Sequence, residues 1–302
     1  MLRIWMIFSA LVLALGASAC ATQASDTESA ATLRSLDDSA METMEEEIGG
    51  RIGVALMNER GETLYAWRGD ERFAMCSTFK LALAAAVLER VEEGEFSIDD
   101  SIVFDQSDIL SYAPVTSERV AQGEMTVAEL AEAIITLSDN TAANLLLDRI
   151  GGPAALTTFF RDHGDEVSRL DRMEPELNEN APGDPRDTTS PVAMASLVQR
   201  LMFEPELSLA SREQLGAWAI ANETGDERIR AGIPDGWRVG DKTGTCGTAY
   251  NDIGIVWPPE GDAFVLAVYI DRPEAEAEAV NAAIADIARL AVAVRELSAL
   301  SP

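Results

Sequence analysis

The stretch "NDIGIVWPPEGDAFVLAVYID", residues 251–271, reads as a hairpin: two apolar, β-branched runs reversed at a Pro-Pro-Glu-Gly turn. A matching unit stands near the other end of the chain, where "RIGVALMN" (51–58) and "TLYAWRG" (63–69) are strand-like arms joined at "ERGE" (59–62). "GWRVGDKTGT" (236–245) supplies one more strand ahead of the hairpin. Helical period frames these units. Leu33, Leu36, Ala40, Met44 and Ile48 recur at helical spacing up to Gly49-Gly50, and an Ala-rich helix runs from about Glu274 to Leu300.

Between the two strand units the pattern is helical. Ser77 to Glu93 is rich in Ala and Leu, Thr126 to Leu137 opens on a Thr126/Glu129 capping box, and Thr141 to Arg149 stops at Gly151. Residues 171–190, with Pro175, Pro182 and Pro185 and no period, read as a long loop, which in a compact domain is usually functional. This order predicts an α/β protein: an antiparallel sheet built from both chain ends, packed with N- and C-terminal helices, plus an inserted all-α lobe. The α/β lobe takes residues 33–72 and 220–302, and the all-α lobe 73–219. No internal repeat interrupts the pattern.

With 52 acidic and 23 basic side chains, the formal charge is −29. Binding to phosphate needs a positive surface, so nucleic acid and anionic membranes are excluded as partners, and the excess acid reads as a solvated, repulsive exterior. Arg3, the apolar run "IWMIFSALVLALG" and Ala17-Ser18-Ala19 form an export signal over residues 1–19, followed by a polar tether over 20–32. The expected destination is the periplasm. Cys20 follows the cut, so a lipid anchor there is the one route to a membrane, although Ala17 stands where lipoprotein signals usually carry Leu. Apart from Cys20, Cys76 and Cys246 are the only pair, and export makes a disulfide feasible. Closing a loop of this length would contribute on the order of 4–5 kcal/mol.

The chemistry is narrowed by scarcity. His163, in "RDHGDE", is the one histidine and reads as an exposed loop side chain. No cluster of His or Cys is present to hold a metal, and no cofactor motif is seen, so neither is expected. A nucleophile must therefore be activated without imidazole. Only two lysines occur among 23 basic residues, Lys80 in "CSTFK" and Lys242 in "GDKTGT". Arginine effectively never loses its proton, whereas a desolvated lysine can, which gives a reason to keep lysine at just these positions. If Ser77 opens its helix, Lys80 lies one turn on and on the same face, and the helix N-terminus favours a developing oxyanion. Ser138-Asp139-Asn140 links two helices, Glu174 and Asn178 stand in the long loop, and Gly244 in the Lys242 strand permits close approach of a ligand backbone.

S-x-x-K at Ser77–Lys80, S-D-N at 138–140 and K-T-G at 242–244 resemble a class A serine β-lactamase over nearly the whole chain, from about Leu33 to Leu300. The resemblance implies hydrolysis of β-lactam antibiotics as small-molecule substrates with no metal or cofactor, and a monomer is the default because nothing in the sequence argues for more. On that resemblance Ser77 is the nucleophile, Lys80 assists proton removal, Ser138 relays a proton to the leaving nitrogen, and Glu174 with Asn178 holds the deacylating water. Ser77 and Thr245 would form the oxyanion hole. Lys242, Thr243, Thr245 and Arg228 would hold the substrate carboxylate, Asn140 its acylamide chain, and Tyr112 would line the mouth. Residues 172–187 would be the family's Ω-loop, with Arg172 and Asp187 at its neck and a Glu174–Pro175 bond that is often cis in the family.

Ala84 and Ala131 stand where the commonest family disulfide would be, so that bridge is absent. Cys76 and Cys246 instead resemble the bridge of the carbapenem-hydrolysing branch, and Arg228 followed by Ile229-Arg230 is similar to that branch too. Penicillin-binding D-Ala-D-Ala peptidases, penicillin-sensing domains and serine esterases share the nucleophile. Glu174 and Asn178 separate a hydrolase from the peptidase, and a sensor is expected to need a transmembrane signalling segment, which is not read in this sequence.

Overall fold

The computed structural model describes residues 38–299; the expected export signal, the tether, Cys20 and the first residues of the N-terminal helix lie outside them. Helix α1 (38–48) precedes strands β1 (Arg51–Asn58) and β2 (Thr63–Trp67). β3 (Phe73–Ala74) leads through a 3₁₀ turn, Cys76–Thr78, into α2 (Phe79–Glu92). β4 (Ser101–Val103), α3 (Thr116–Arg119), β5 (Glu124–Thr126), α4 (Val127–Thr136), α5 (Asn140–Ile150) and α6 (Pro153–Asp162) follow. Beyond a second 3₁₀ turn, Glu176–Asn178, come β6 (Thr188–Thr189), α7 (Pro191–Phe203), α8 (Leu209–Ile220) and α9 (Ile229–Gly232). β7 (Arg238–Cys246), β8 (Ala249–Trp257), β9 (Phe264–Asp271) and α10 (Ala277–Ala299) end the described chain.

The main sheet has the order β2-β1-β9-β8-β7, every neighbour antiparallel. The two chain ends therefore meet at its centre, where Val54 lies opposite Val268 and Leu56 opposite Leu266. Both faces are covered, so β1 and β9 are apolar continuously and not in alternation. The period of two instead sorts side chains between two cores. Ile52, Val54, Leu56, Leu266 and Val268 pack with Met41, Ile284 and Ile287 of the terminal helices. Ala55, Met57, Val265 and Ala267 join the core that includes α2.

That helix explains the position of the chemistry. "FKLALAAAVL", residues 79–88, is buried on every side, as a helix apolar all round must be. Lys80 is the one charged residue in this run, and such a group is tolerated only with close polar partners. The helix starts at Phe79, so Ser77 occupies the 3₁₀ turn ahead of it and not the first helical turn. The turn is held locally: Met75 O accepts from Thr78 N at 3.1 Å and Thr78 Oγ1 at 2.7 Å. The capping box at α4 is formed, with Glu129 N donating to Thr126 Oγ1 and Thr126 N to Glu129 Oε2.

His163 corrects the sequence reading. It caps α6 and is 6% exposed, its ring 4.2 Å from that of Phe159. Nδ1 lies 3.0 Å from Phe159 O, and Nε2 lies 3.2 Å from Glu89 and 3.8 Å from Glu206. The polar "RDHGDE" tract hides an inward-facing ring because α2 and the Glu206 segment supply carboxylates that no local pattern displays.

Candidate active site

Three segments far apart in sequence converge on the Ser77 turn. Lys80 Nζ lies 3.1 Å from Ser77 Oγ and also donates to Ser138 O at 2.8 Å and Asn140 Oδ1 at 2.5 Å. Its carboxylate partner is Glu174, Oε1 at 3.2 Å, and both side chains are fully enclosed. Burial pushes the Lys80 ammonium below the ordinary lysine value, and the Glu174 charge works against that push. The result is a lysine that gives up its proton more readily than one at the surface.

Ser138 stands between the two lysines. Its Oγ is 3.4 Å from Lys80 Nζ and 3.1 Å from Lys242 Nζ. Ser138 adopts φ 58°, a left-handed turn that aims the side chain inward at the cost of strain. Asp139 holds that turn in place. Its carboxylate caps α5 through Ala142 N and accepts from Val115 N, Thr116 N and Thr116 Oγ1. Lys242 is also fully buried, with Nζ donating to Thr243 O at 2.8 Å. Burial first, and the Lys80 charge second, lower its pKa to about 7, against the opposing pull of Asp241 and Asp252.

The β7 edge forms one wall. Thr243 Oγ1 pairs with Thr224 Oγ1 at 2.5 Å, and Thr245 Oγ1 accepts from Arg228 Nη2 at 2.7 Å. Arg228 is almost wholly buried and spends its other donors on Asn281 Oδ1 and Asn251 O, which fixes it beside Thr245. Gly244 refines the sequence reading: a Cβ there would sit 2.8 Å from Met75 O and 3.1 Å from Thr78 N. The close approach it permits is therefore that of the protein's own Ser77 turn. Cys76 and Cys246 are disulfide-bonded across the same seam.

The long loop forms the opposite wall. Arg172 Nε meets Asp187 Oδ2 at 2.6 Å, and Asp187 Oδ1 accepts from Asp171 N and Arg172 N, closing the neck. Glu174 Oε2 accepts from Asn178 Nδ2 at 2.5 Å, and the Glu174–Pro175 peptide is cis. Tyr112, about half exposed, reaches the site through its carbonyl, which accepts from Asn140 N at 3.1 Å. Of the residues singled out in the sequence, Ser77 and Lys80 lie in the turn and the start of α2, Ser138 and Asn140 before and at the start of α5, Glu174 and Asn178 in the loop wall, and Lys242 to Thr245 with Arg228 on the β7 side.

Several side chains that hold the site went unread. Asn144 pins the Glu174 backbone from both sides, its Oδ1 accepting from Glu174 N and its Nδ2 donating to Glu174 O. It sits four residues after Asn140, one turn along the same helix face, which was a usable signal. Buried Asn251 donates to Ala74 O and Met75 O, fixing the approach to Ser77. Asp241 holds Arg230 and Asn222 beneath the Lys242 strand. A lone Asn or Asp in an apolar strand carries no such signal. Among the described residues no three His, Cys, Asp or Glu side chains group as a metal site would.

Residues 37–294 match the model of the beta-lactamase enzyme family. The chain is 46% identical to beta-lactamase L2 of Stenotrophomonas maltophilia over 94% of each chain. With beta-lactamase Toho-1 of Escherichia coli it shares 45% identity over 83% of this chain and 87% of that one. Among solved structures, an ancestral Gram-negative class A β-lactamase matches with TM-score 0.82 and 55% identity, covering 85% of this chain and 98% of the other. A β-lactamase from Xanthomonas campestris matches with TM-score 0.84 and 44% identity over 88% and 98%. Fold and cleft together define a serine hydrolase built on an antiparallel sheet with helices. The chain belongs to the β-lactamase family as a class A enzyme, whose activity is β-lactam hydrolysis and the antibiotic resistance that follows from it.

Proposed function

We propose that the chain hydrolyses penicillins, cephalosporins and carbapenems through an acyl-enzyme on Ser77 that is deacylated by a water held by Glu174. The observation that carries this reading is the Glu174–Asn178 pair, set against the same Lys80 that touches Ser77 Oγ. Ser77 Oγ attacks the lactam carbonyl carbon while its proton passes to the Lys80–Glu174 pair. The main-chain N–H groups of Ser77 and Thr245 take the oxyanion. As the C–N bond breaks, Ser138 gives its hydroxyl proton to the departing nitrogen and is resupplied from the lysines flanking it. Lys242, Thr243, Thr245 and Arg228 hold the substrate carboxylate, Asn140 the acylamide, and Tyr112 the mouth of the cleft. Water then attacks the ester as Glu174 accepts its proton, and Ser77 leaves with a proton restored.

The Cys76–Cys246 bridge and Arg228 with Ile229-Arg230 support carbapenem turnover, as in the branch they resemble. The leader-like residues 1–19 support export to the periplasm, soluble or anchored at Cys20. A division into two lobes at 72/73 and 219/220 is supported by a cleft lined from both parts of the chain, Ser77, Ser138 and Glu174 from one and Lys242 from the other.

The test is mass spectrometry of the protein with excess penicillin, run beside the decay of β-lactam absorbance, then repeated with imipenem. Many equivalents consumed with little Ser77 adduct is the expected result. One equivalent and a lasting adduct would make the protein a peptidase or sensor, and a lasting imipenem adduct alone would remove the carbapenem activity.

A further inference from the structure

The segment after β9 touches both walls of the cleft. Arg272 N donates to Thr248 O at 2.7 Å, in the turn that follows Thr245 and Cys246. Arg272 Nη2 donates to Asn180 O at 2.9 Å, two residues beyond Asn178. Nearly buried Asp271 completes the joint: its Oδ1 accepts from Asn180 Nδ2 at 3.0 Å, and its Oδ2 from Arg272 Nη1 at 2.7 Å and Arg51 Nη2 at 3.1 Å. Arg272 adopts φ 51°, a left-handed conformation that a non-glycine residue holds only where its surroundings enforce it.

The long loop is therefore tied at the Arg172–Asp187 neck and again here near its midpoint, and Glu174 and Asn178 lie between these ties. The two are not held equally. Glu174 has its own clamp in Asn144, whereas the hydrogen bonds of Asn178 among the described residues go to Glu174 and Pro175 within the loop. Beyond Asn178, Arg172 holds Glu179 from within the loop, at its carboxylate (2.7 Å) and its carbonyl (3.0 Å). The Asn180 tie is the first hydrogen-bonded anchor on this side to an element outside the loop.

We propose that Arg272 is a positioning residue for deacylation: with Asp271 it fixes Asn180, and so sets Asn178 against the water held by Glu174. This rests on the deacylation role given above to the Glu174–Asn178 pair. Arg272→Asn removes the guanidinium while keeping a residue that tolerates the left-handed backbone. Deacylation of benzylpenicillin should slow about tenfold, between no effect and the ~10²-fold cost of a 1 Å misplacement. Acylation should stay at the wild-type rate, so Ser77 adduct accumulates after a burst. Arg272→Lys, which keeps a cationic donor at this position, should recover part of the loss.

Glu174→Gln is run in parallel, with Tm measured for all variants. If Glu174→Gln stalls as adduct while Arg272→Asn turns over like wild type, the positioning role fails and the deacylation reading stands. If Glu174→Gln turns over without adduct, both fall. If Arg272→Asn slows acylation and deacylation alike as Tm drops, its role is structural only and the proposal is overturned.

Discussion

Gly244→Ala tests whether the K-T-G strand sets the position of the nucleophile. The added methyl would lie 2.8 Å from Met75 O, 3.0 Å from Thr78 Cγ2 and 3.1 Å from Thr78 N, so strand and turn must part by roughly 0.5 Å to reach ordinary contact. The turn cannot swing aside freely, because Met75 O already accepts from Thr78 N, Thr78 Oγ1 and Asn251 Nδ2. The Cys76–Cys246 bridge spans the same seam and resists the parting. Overpacking of this kind costs about 1–3 kcal/mol, a fall in Tm of roughly 3–10 °C for a domain of this size. The displacement falls on Ser77, which Met75 and Thr78 flank closely. At half the 1 Å that costs ~10²-fold, acylation should slow about tenfold. Stopped-flow acylation by benzylpenicillin measures this directly. Gly240→Ala is the control, since its methyl meets Ala219 Cβ at 2.9 Å on the same strand but away from Ser77. A folded Gly244→Ala protein that acylates at the wild-type rate, or a Gly240→Ala protein slowed equally, would refute the reasoning.

Asp187→Asn puts an amide against Arg172 Nε and should cost about 1.5–3 kcal/mol of loop closure, slowing deacylation more than acylation; unchanged steady-state turnover would count against the neck. Burial pushes the His163 imidazole down, but its hydrogen bond to Glu89, the Phe159 carbonyl and the charges of Glu89 and Glu206 outweigh it, and the pKa is raised above 6.5. The stabilisation from that pair is complete below about 6.5 and is lost as pH rises through the folded value, so the Tm gap between wild type and His163→Gln should close on going alkaline. A gap constant with pH would leave only packing. Replacing Cys76 and Cys246 by Ala frees a separation of 170 residues and should lower unfolding free energy in urea by about 4–5 kcal/mol; a loss below about 1 kcal/mol would show that the unfolded chain is not relieved by the break. With Lys242 titrating near 7, kcat/KM for a carboxylate-bearing substrate should fall as pH rises above that value, and Lys242→Arg should flatten the profile. Stability moves the other way, because between about 7 and 10.5 the unfolded chain binds the proton that the folded one has released.

Patterns local in sequence were readable, and so were elements whose period matches their burial. The central strands announce themselves because both faces are covered, which demands runs such as "FVLAVYID". The α4 capping box was visible because both its bonds lie within four residues. Helices α7 and α8 carry equally local marks, Ser190 and Ser208 as caps and Pro191 in the first turn, but they follow a proline-rich loop that drew the reading away from them. What could not be read depends on partners distant in sequence. His163 is buried by Glu89 and Glu206, Asn251 matters through Ala74 and Met75, and Arg272 through Asn180 and Thr248. Ser77 lies in a 3₁₀ turn and not in the helix because Cys76 takes φ 46°, a local outlier that no residue type at that position advertises.

The scarcity of lysine follows from what the two are asked to hold. Surface ion pairs across this chain are made by arginine, as in Arg51–Glu71, Arg90–Glu95 and Arg149–Asp100. Both lysines are fully enclosed and share a single hydroxyl, Ser138 Oγ. Two enclosed cations this near each other repel, and the arrangement persists only because each has fixed acceptors: Glu174, Asn140 Oδ1 and Ser138 O for one, Thr243 O and the neighbouring aspartates for the other. Burial first and the repulsion second lower the hold of Lys242 on its proton, and burial lowers that of Lys80. Arginine in either place would keep its charge regardless and could pass nothing to Ser138 or take anything from Ser77. On the proposed mechanism an arriving substrate carboxylate supplies the missing counter-charge beside Lys242. The proton affinity of Lys242 then rises, so the lysine is kept protonated beside Ser138 Oγ when the leaving nitrogen needs a proton. The bound anion aids that supply by keeping the donor loaded and not by making it a stronger acid.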